Sequence, residues 1–266
     1  MNKIVENCLF VTDPKKLKEI SRDTSFFTIN YVGKNIIKSD IFDIAKNYVK
    51  RNDKHLEIFR LPIHDEDLCG FTCIRKGQIF MMINSSLPLN KQVFATAHEL
   101  YHIYTYIANQ DKSLLHKGSF LTSKHIEQNA IDKEDKQANA FAGLLLAPTS
   151  QIKEQMEIYN LDQNNICSDT IIKLMNIFTM PYKAIVLRLY EADIIARKEA
   201  EQLLQQEPTN LDYQQTNQAI IDLGSIPTLI NENIDNLPEQ RIEEDKKTID
   251  NIINFLNSQT QKDTDI

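Results

Sequence analysis

Residues 98–102 read His-Glu-Leu-Tyr-His, two histidines four apart with a glutamate directly after the first. On a helix, positions i and i+4 lie one turn apart on the same face. Two imidazoles so placed can ligate one zinc ion, and Glu99 can reach the water that the ion holds. Zinc lowers the pKa of such a water toward about 7, which gives a nucleophile at neutral pH. Phe94, Ala97, Ile103 and Tyr104 surround the motif with apolar residues, a setting that a histidine pair on a surface helix would not need. The plain alternative is two polar histidines on an ordinary helix.

A hydrolytic zinc site needs three protein ligands and one open position. The natural donor of the third is the segment Glu134–Ala142, EDKQANAFA. On a helix Asp135 and Asn139 are one turn apart. Asp135 could ligate the metal, and Asn139 could hydrogen-bond the ring of a ligating histidine. Ala138 and Ala142 are small enough to let this helix pack closely on the one that carries 98–102. Taken alone, the segment is also an ordinary amphipathic helix with a charged start.

Two stretches, AHELYH at 97–102 and DKQANAFAGLLLAP at 135–148, stand in fixed order. Together they are far more specific than either alone. With them the chain resembles the ImmA/IrrE family of metallo-endopeptidases, over roughly residues 40–190. The resemblance implies that His98 and His102 are zinc ligands, that Glu99 is the catalytic base and that Asp135 is the third ligand. One Zn2+ per chain is expected, with Mn2+ or another divalent metal as the alternative. Glutamate is usual at the position of Asp135, whose side chain is one methylene shorter. Glu134 is the fallback, although on a helix it points about 100° away. Tyr101 stands where the family often has glycine. The implied substrate is an intracellular regulatory protein, a helix-turn-helix repressor of a phage or mobile element. Substrates of such enzymes commonly add a strand to a sheet edge, and Gln78–Asn84 is the candidate edge. A catalytically silent scaffold that regulates a repressor by binding is the alternative, and a zinc hydrolase acting on a non-peptide bond is a further one.

The elements that must hold these residues follow from periodicity and turn chemistry. The pattern predicts a short helix at Lys15–Ser21, a strand at Phe26–Val32 and an amphipathic helix at Asp40–Lys50 capped by Asp40. Strands follow at Leu56–Leu61, Gly70–Arg75 and Gln78–Asn84, the last two joined in a hairpin by Lys76-Gly77. Asn90 caps a helix over Lys91–Ala108. Residues 109–131 show no clear element. Further helices are predicted at Asp132–Leu146, Ser150–Tyr159, Asp169–Ile177, Pro181–Glu191 and Ile194–Gln206. The fold class is α+β, a small antiparallel or mixed sheet packed on a zincin-type active-site helix and followed by a helical C-terminal part. The divisions are an N-terminal segment, 1–39; a metallopeptidase core, 40–149; a helical, helix-turn-helix-like subdomain, 150–206; and an acidic, loosely structured tail, 207–266.

Charge supports that last boundary. The chain has 266 residues and a net charge of −7. Residues 207–266 carry 12 acidic and 4 basic residues, so the preceding body is nearly neutral. That balance argues against direct nucleic-acid binding as the main task. No apolar run approaches the roughly 18–20 residues of a membrane span, and the N-terminus lacks a secretory signal, so a cytoplasmic location is expected. Cys8, Cys69, Cys73 and Cys167 read as thiols rather than a disulfide framework. His55, His64, His116 and His125 have no partner at metal spacing and read as surface residues. His116, His125, Tyr101, Tyr104 and Tyr106 are the candidates to stabilise an oxyanion.

Overall fold

The chain opens with three helices. In a computed structural model, residues 3–62, 68–75, 77–109, 119–122, 133–163 and 165–207 are described. All lie in the first of two units, Met1–Asn217; the second, Gln218–Ile266, and with it most of the acidic tail, lies outside the described residues. Helices α1 (Lys3–Asn7) and α2 (Leu9–Thr12) lead into α3 (Pro14–Tyr31). Pro14 occupies the first turn of α3, where its missing N–H costs nothing, and the Asp13 carboxylate accepts from the Lys16 N–H at 3.0 Å.

The strand expected at Phe26–Val32 is instead the C-terminal half of α3. Ile20, Thr24 and Phe27 recur at helical spacing and are all buried. Phe27 packs on rings from three other helices, and that packing outweighs the strand preference of Phe26-Phe27-Thr28-Ile29. A 3-10 turn, Lys38–Asp40, precedes α4 (Ile41–Arg51). Asp40 does not cap α4 as expected; its carboxylate is paired with Lys34.

Among the described residues the sheet has four strands in the order β1-β3-β2-β4: β1 (Leu56–Leu61), β2 (Leu68–Arg75), β3 (Gln78–Asn84) and β4 (Ser119–Thr122). β2 and β3 form the expected antiparallel hairpin, with Arg75 opposite Gln78 and Gly77 at φ +81° in the turn. β1 runs parallel to β3, Leu56 opposite Ile79, and β4 runs antiparallel to β2. Two expectations therefore change. β3 is internal, not an edge, and among the described residues the edges are β1 and β4. The reason is its pairing: β1 bonds along one side of β3 and β2 along the other, and its Ile79, Met81, Met82 and Ile83 are buried. The second change is β4 itself, four residues inside 109–131, too short to carry a period.

Helix α5 (Leu89–Asn109) lies on this sheet. Its ladder starts from the Pro88 carbonyl, so Asn90 lies inside the first turn, where its Oδ1 accepts from the Lys91 N–H at 2.8 Å. A Cβ on Gly70 of β2 would lie 2.8 Å from the Met82 carbonyl and 2.9 Å from Ile83 Cδ1, both of β3, so only glycine fits against the neighbouring strand there. Against the other side of α5 packs α6 (Lys133–Leu146), and α3 packs on α6. One aromatic cluster joins four helices: Phe27 of α3 lies 5.1 Å from Tyr48 of α4, 6.0 Å from Tyr104 of α5 and 5.7 Å from Phe141 of α6, centroid to centroid.

Helices α7 (Thr149–Ile158), α8 (Ser168–Phe178), α9 (Tyr182–Glu191) and α10 (Arg197–Gln205) complete the described chain. α8 and α9 meet at 99° across Thr179, which is left-handed at φ +53°, an angle within the range of helix-turn-helix pairs. The second helix of this pair is turned inward: Tyr182, Ile185, Val186, Arg188 and Leu189 are buried. Among the described residues no single helix is long and apolar enough to cross a membrane. The four cysteines form no disulfide.

Arg188 locks α9 to α6. It is 2% exposed, and its Cδ would lie 2.7 Å from a Cβ placed on Gly143 of α6. Gly143→Ala is expected to lower stability by about 1–3 kcal/mol through this overpacking. A urea midpoint equal to that of the unsubstituted protein would show that the arginine stem yields freely.

Candidate metal centre

The two histidines and the acidic segment arrive from α5 and α6. His98 is fully buried and His102 is 2% exposed. Their Nε2 atoms lie 3.3 Å apart, and Asp135 Oδ1 lies 3.6 Å from His98 Nε2 and 3.7 Å from His102 Nε2. With bonds of about 2.0–2.1 Å, neighbouring corners of a zinc tetrahedron are roughly 3.3–3.4 Å apart. Two imidazoles and one carboxylate at these separations fit Zn2+ and leave a fourth position. Among the described residues these three side chains form the group able to hold a metal ion, and Glu134 is not part of it. The shorter aspartate reaches because α5 and α6 pack tightly, with Ala138 and Ala142 both fully buried.

His98 Nδ1–H donates to Asn139 Oδ1 at 2.9 Å, which fixes the ring and leaves the Nε2 lone pair free for a metal. Glu99 is fully buried on α5. Burial opposes a charge on His98, but the Asp135 carboxylate and the charge of Glu99 outweigh it and raise the imidazole's pKa. His102 moves the other way, pushed down by burial and then by the positive charge of His98.

Sequence reasoning missed one contact at this centre. Tyr101 OH donates to Gln137 Oε1 at 2.7 Å, bridging α5 to α6 beside the histidines. Burial, and then the charges of Asp23 and Glu134, keep this phenol protonated, so it donates. No sequence signal pairs a tyrosine with a glutamine 36 residues away; only the docking of the two helices does. That hydroxyl is therefore engaged, and of the other tyrosines expected to serve an oxyanion, Tyr104 stacks on Phe141 and Tyr106 lies under Lys54. His55 is exposed and pairs with Glu57. His64, His116 and His125 lie outside the described residues.

A protein-family model, Peptidase_M78, described as the IrrE N-terminal-like domain, matches residues 51–190. No curated protein matches the chain. The solved structure of a Mycobacterium tuberculosis transcriptional regulator is similar at a TM-score of 0.41 and 14% identity, over 65% of this chain and 46% of that one. The chain thus spans less than half of that regulator's length. The family model covers more than half of the sequence and contains both HELYH and the Asp135–Asn139 segment, so the chain belongs to the ImmA/IrrE family of metallopeptidase-like proteins.

Proposed function

We propose that the protein is a zinc-dependent endopeptidase of the cytoplasm whose substrate is a helix-turn-helix transcriptional repressor of a phage or mobile element. The observation that carries this reading is the convergence of His98 Nε2, His102 Nε2 and Asp135 Oδ1 within 3.7 Å of one another. These three would hold the ion, and Asn139 would keep the His98 ring in its ligating tautomer. Zinc, when bound, supplies the Lewis acidity that makes water nucleophilic near neutral pH and polarises the scissile carbonyl. Glu99 then has two tasks: it takes the proton of the attacking water and gives it to the leaving amine. The C–N bond breaks, and the products are a carboxylate and an amine. The repressor as substrate rests on family membership.

Zinc per chain, measured on the purified protein beside Asp135→Ala, tests the site. Near one zinc in the parent and a small fraction of that in the variant are expected. A parent that stays empty when zinc is supplied would overturn the peptidase reading. Incubation with repressors encoded beside the gene, followed by mass analysis of fragments, tests the substrate. Intact repressors throughout would remove it.

A further inference from the structure

We propose that Tyr101 is a positioning residue of the metal centre: through its hydrogen bond to Gln137 it sets the roll of α6 about its own axis, and thereby the reach of Asp135. The inference rests on the metal-site reading above and concerns residues that take no part in the chemistry.

The argument starts from helix geometry. Successive residues turn by about 100°. Gln137 and Asn139 therefore project to opposite flanks of α6, each about 100° from Ala138. Both nevertheless reach α5, Gln137 to Tyr101 at 2.7 Å and Asn139 to His98 at 2.9 Å. The wall between them, the fully buried Ala138, is thus turned toward α5. Asp135 lies about 60° from Ala138, on the Asn139 flank. The two hydrogen bonds grip α6 from either side like opposed stays. One alone would let the helix roll toward its own flank.

The roll matters because the carboxylate of Asp135 is short. Side-chain atoms sit about 5–6 Å from a helix axis, so a roll of 10° carries a carboxylate through about 1 Å. Metal–ligand distances tolerate only about 0.2 Å. A glutamate could absorb such an error with its extra torsion; an aspartate has little freedom to do so. Tyr101 is well placed as the second stay. It is 5% exposed, its ring lies 5.4 Å from Phe141 of α6, and it precedes His102 in the chain. A register set at Tyr101 is therefore set beside one of the imidazoles.

The test is zinc affinity, by competition with a chromophoric chelator, together with the visible spectrum of the Co2+-substituted protein. Tyr101→Phe keeps the ring and removes the donor. It is expected to fold as the parent does, to bind zinc about 10–100-fold more weakly and to shift the cobalt spectrum away from its tetrahedral form. Gln137→Met removes the acceptor from the other helix and is expected to do the same. The double variant should lose no more than either single one. In an Asp135→Glu background the effect of Tyr101→Phe should shrink, since the longer side chain compensates for roll. A role in stability alone would leave the cobalt spectrum and this dependence on side-chain length unchanged. Zinc binding and a cobalt spectrum unaltered by Tyr101→Phe would overturn the inference, as would an equal loss in the Asp135→Glu background. A parent chain that binds no zinc would overturn the metal-site reading along with it.

Discussion

Glu99→Gln is expected to lower repressor cleavage by about 10²–10⁴-fold while zinc content stays at the level of the parent. The substitution keeps shape and removes basicity. An amide cannot accept the proton of an attacking water, whereas the carboxylate of Glu99 can. The zinc content should hold because Glu99 is not among the three side chains that converge on one point. Nor should folding suffer. Glu99 is fully buried, and exchanging a buried carboxylate for a neutral amide lowers the cost of desolvation. Cleavage assays on the purified variant, with metal analysis on the same sample, check both halves. The same variant separates the peptidase from a silent scaffold. Should the target genes still be derepressed by Glu99→Gln, with the repressor intact, the protein acts by binding.

Arg188→Ala is expected to destabilise the protein by about 3–5 kcal/mol. Arg188 and Glu191 form an ion pair at 2.8 Å with side chains only 3% and 6% exposed. The guanidinium also donates from Nε to the Ala147 carbonyl at 3.3 Å and from Nη2 to Thr149 Oγ1 at 3.1 Å. It therefore serves the end of α6 and the beginning of α7 at once. Truncation leaves a buried carboxylate without its counter-charge and a helix-terminal carbonyl without one of its donors. For a domain of this size the melting temperature should fall by roughly 6–20 °C. Replacing both partners by apolar residues, Arg188→Met with Glu191→Leu, is expected to recover most of the loss, because the penalty lies in the orphaned charge. A loss below about 1 kcal/mol in Arg188→Ala would mean that water reaches Glu191 and that the pair behaves as a surface one.

Much of this candidate centre is legible in the sequence, because the side chains that converge there ride on helices. Spacing of four fixes His98 and His102 on one face, and spacing of four again aligns Asp135 with Asn139. The choice between Glu134 and Asp135 was open by sequence. It turns on which carboxylate reaches the imidazoles across the contact of α6 with α5, and Asp135 Oδ1, 3.6 and 3.7 Å from their Nε2 atoms, is the one that does. The contacts that escaped are of another kind. Tyr101 with Gln137, and Arg188 with Ala147 and Thr149, join residues 36 to 41 positions apart through polar side chains, and hydropathy carries no trace of them. Local preference also misled where tertiary packing overrode it. Phe26 and Ile29 look like strand residues, yet they face outward from α3, 57% and 82% exposed, while Phe27 alone anchors the turn. The order of the sheet was hidden for a similar reason: the alternation of β3 shows two faces but not its neighbours, and the four residues of β4 are too few to be noticed.

The aromatic cluster has an optical consequence. The chain contains nine tyrosines and no tryptophan, so its near-ultraviolet emission belongs to tyrosine. Tyr31, Tyr48 and Tyr104 share the cluster around Phe27, with Tyr31 and Tyr48 rings 4.8 Å apart. Tyr101, hydrogen-bonded to a carboxamide, stands next to His102. Four of the nine tyrosines thus lie on α5 or in the aromatic cluster that joins α3 and α4 to α5 and α6. Tyrosine emission is therefore expected to change when α6 leaves α5, since Tyr101 would lose Gln137 and Tyr104 would lose the Phe141 ring.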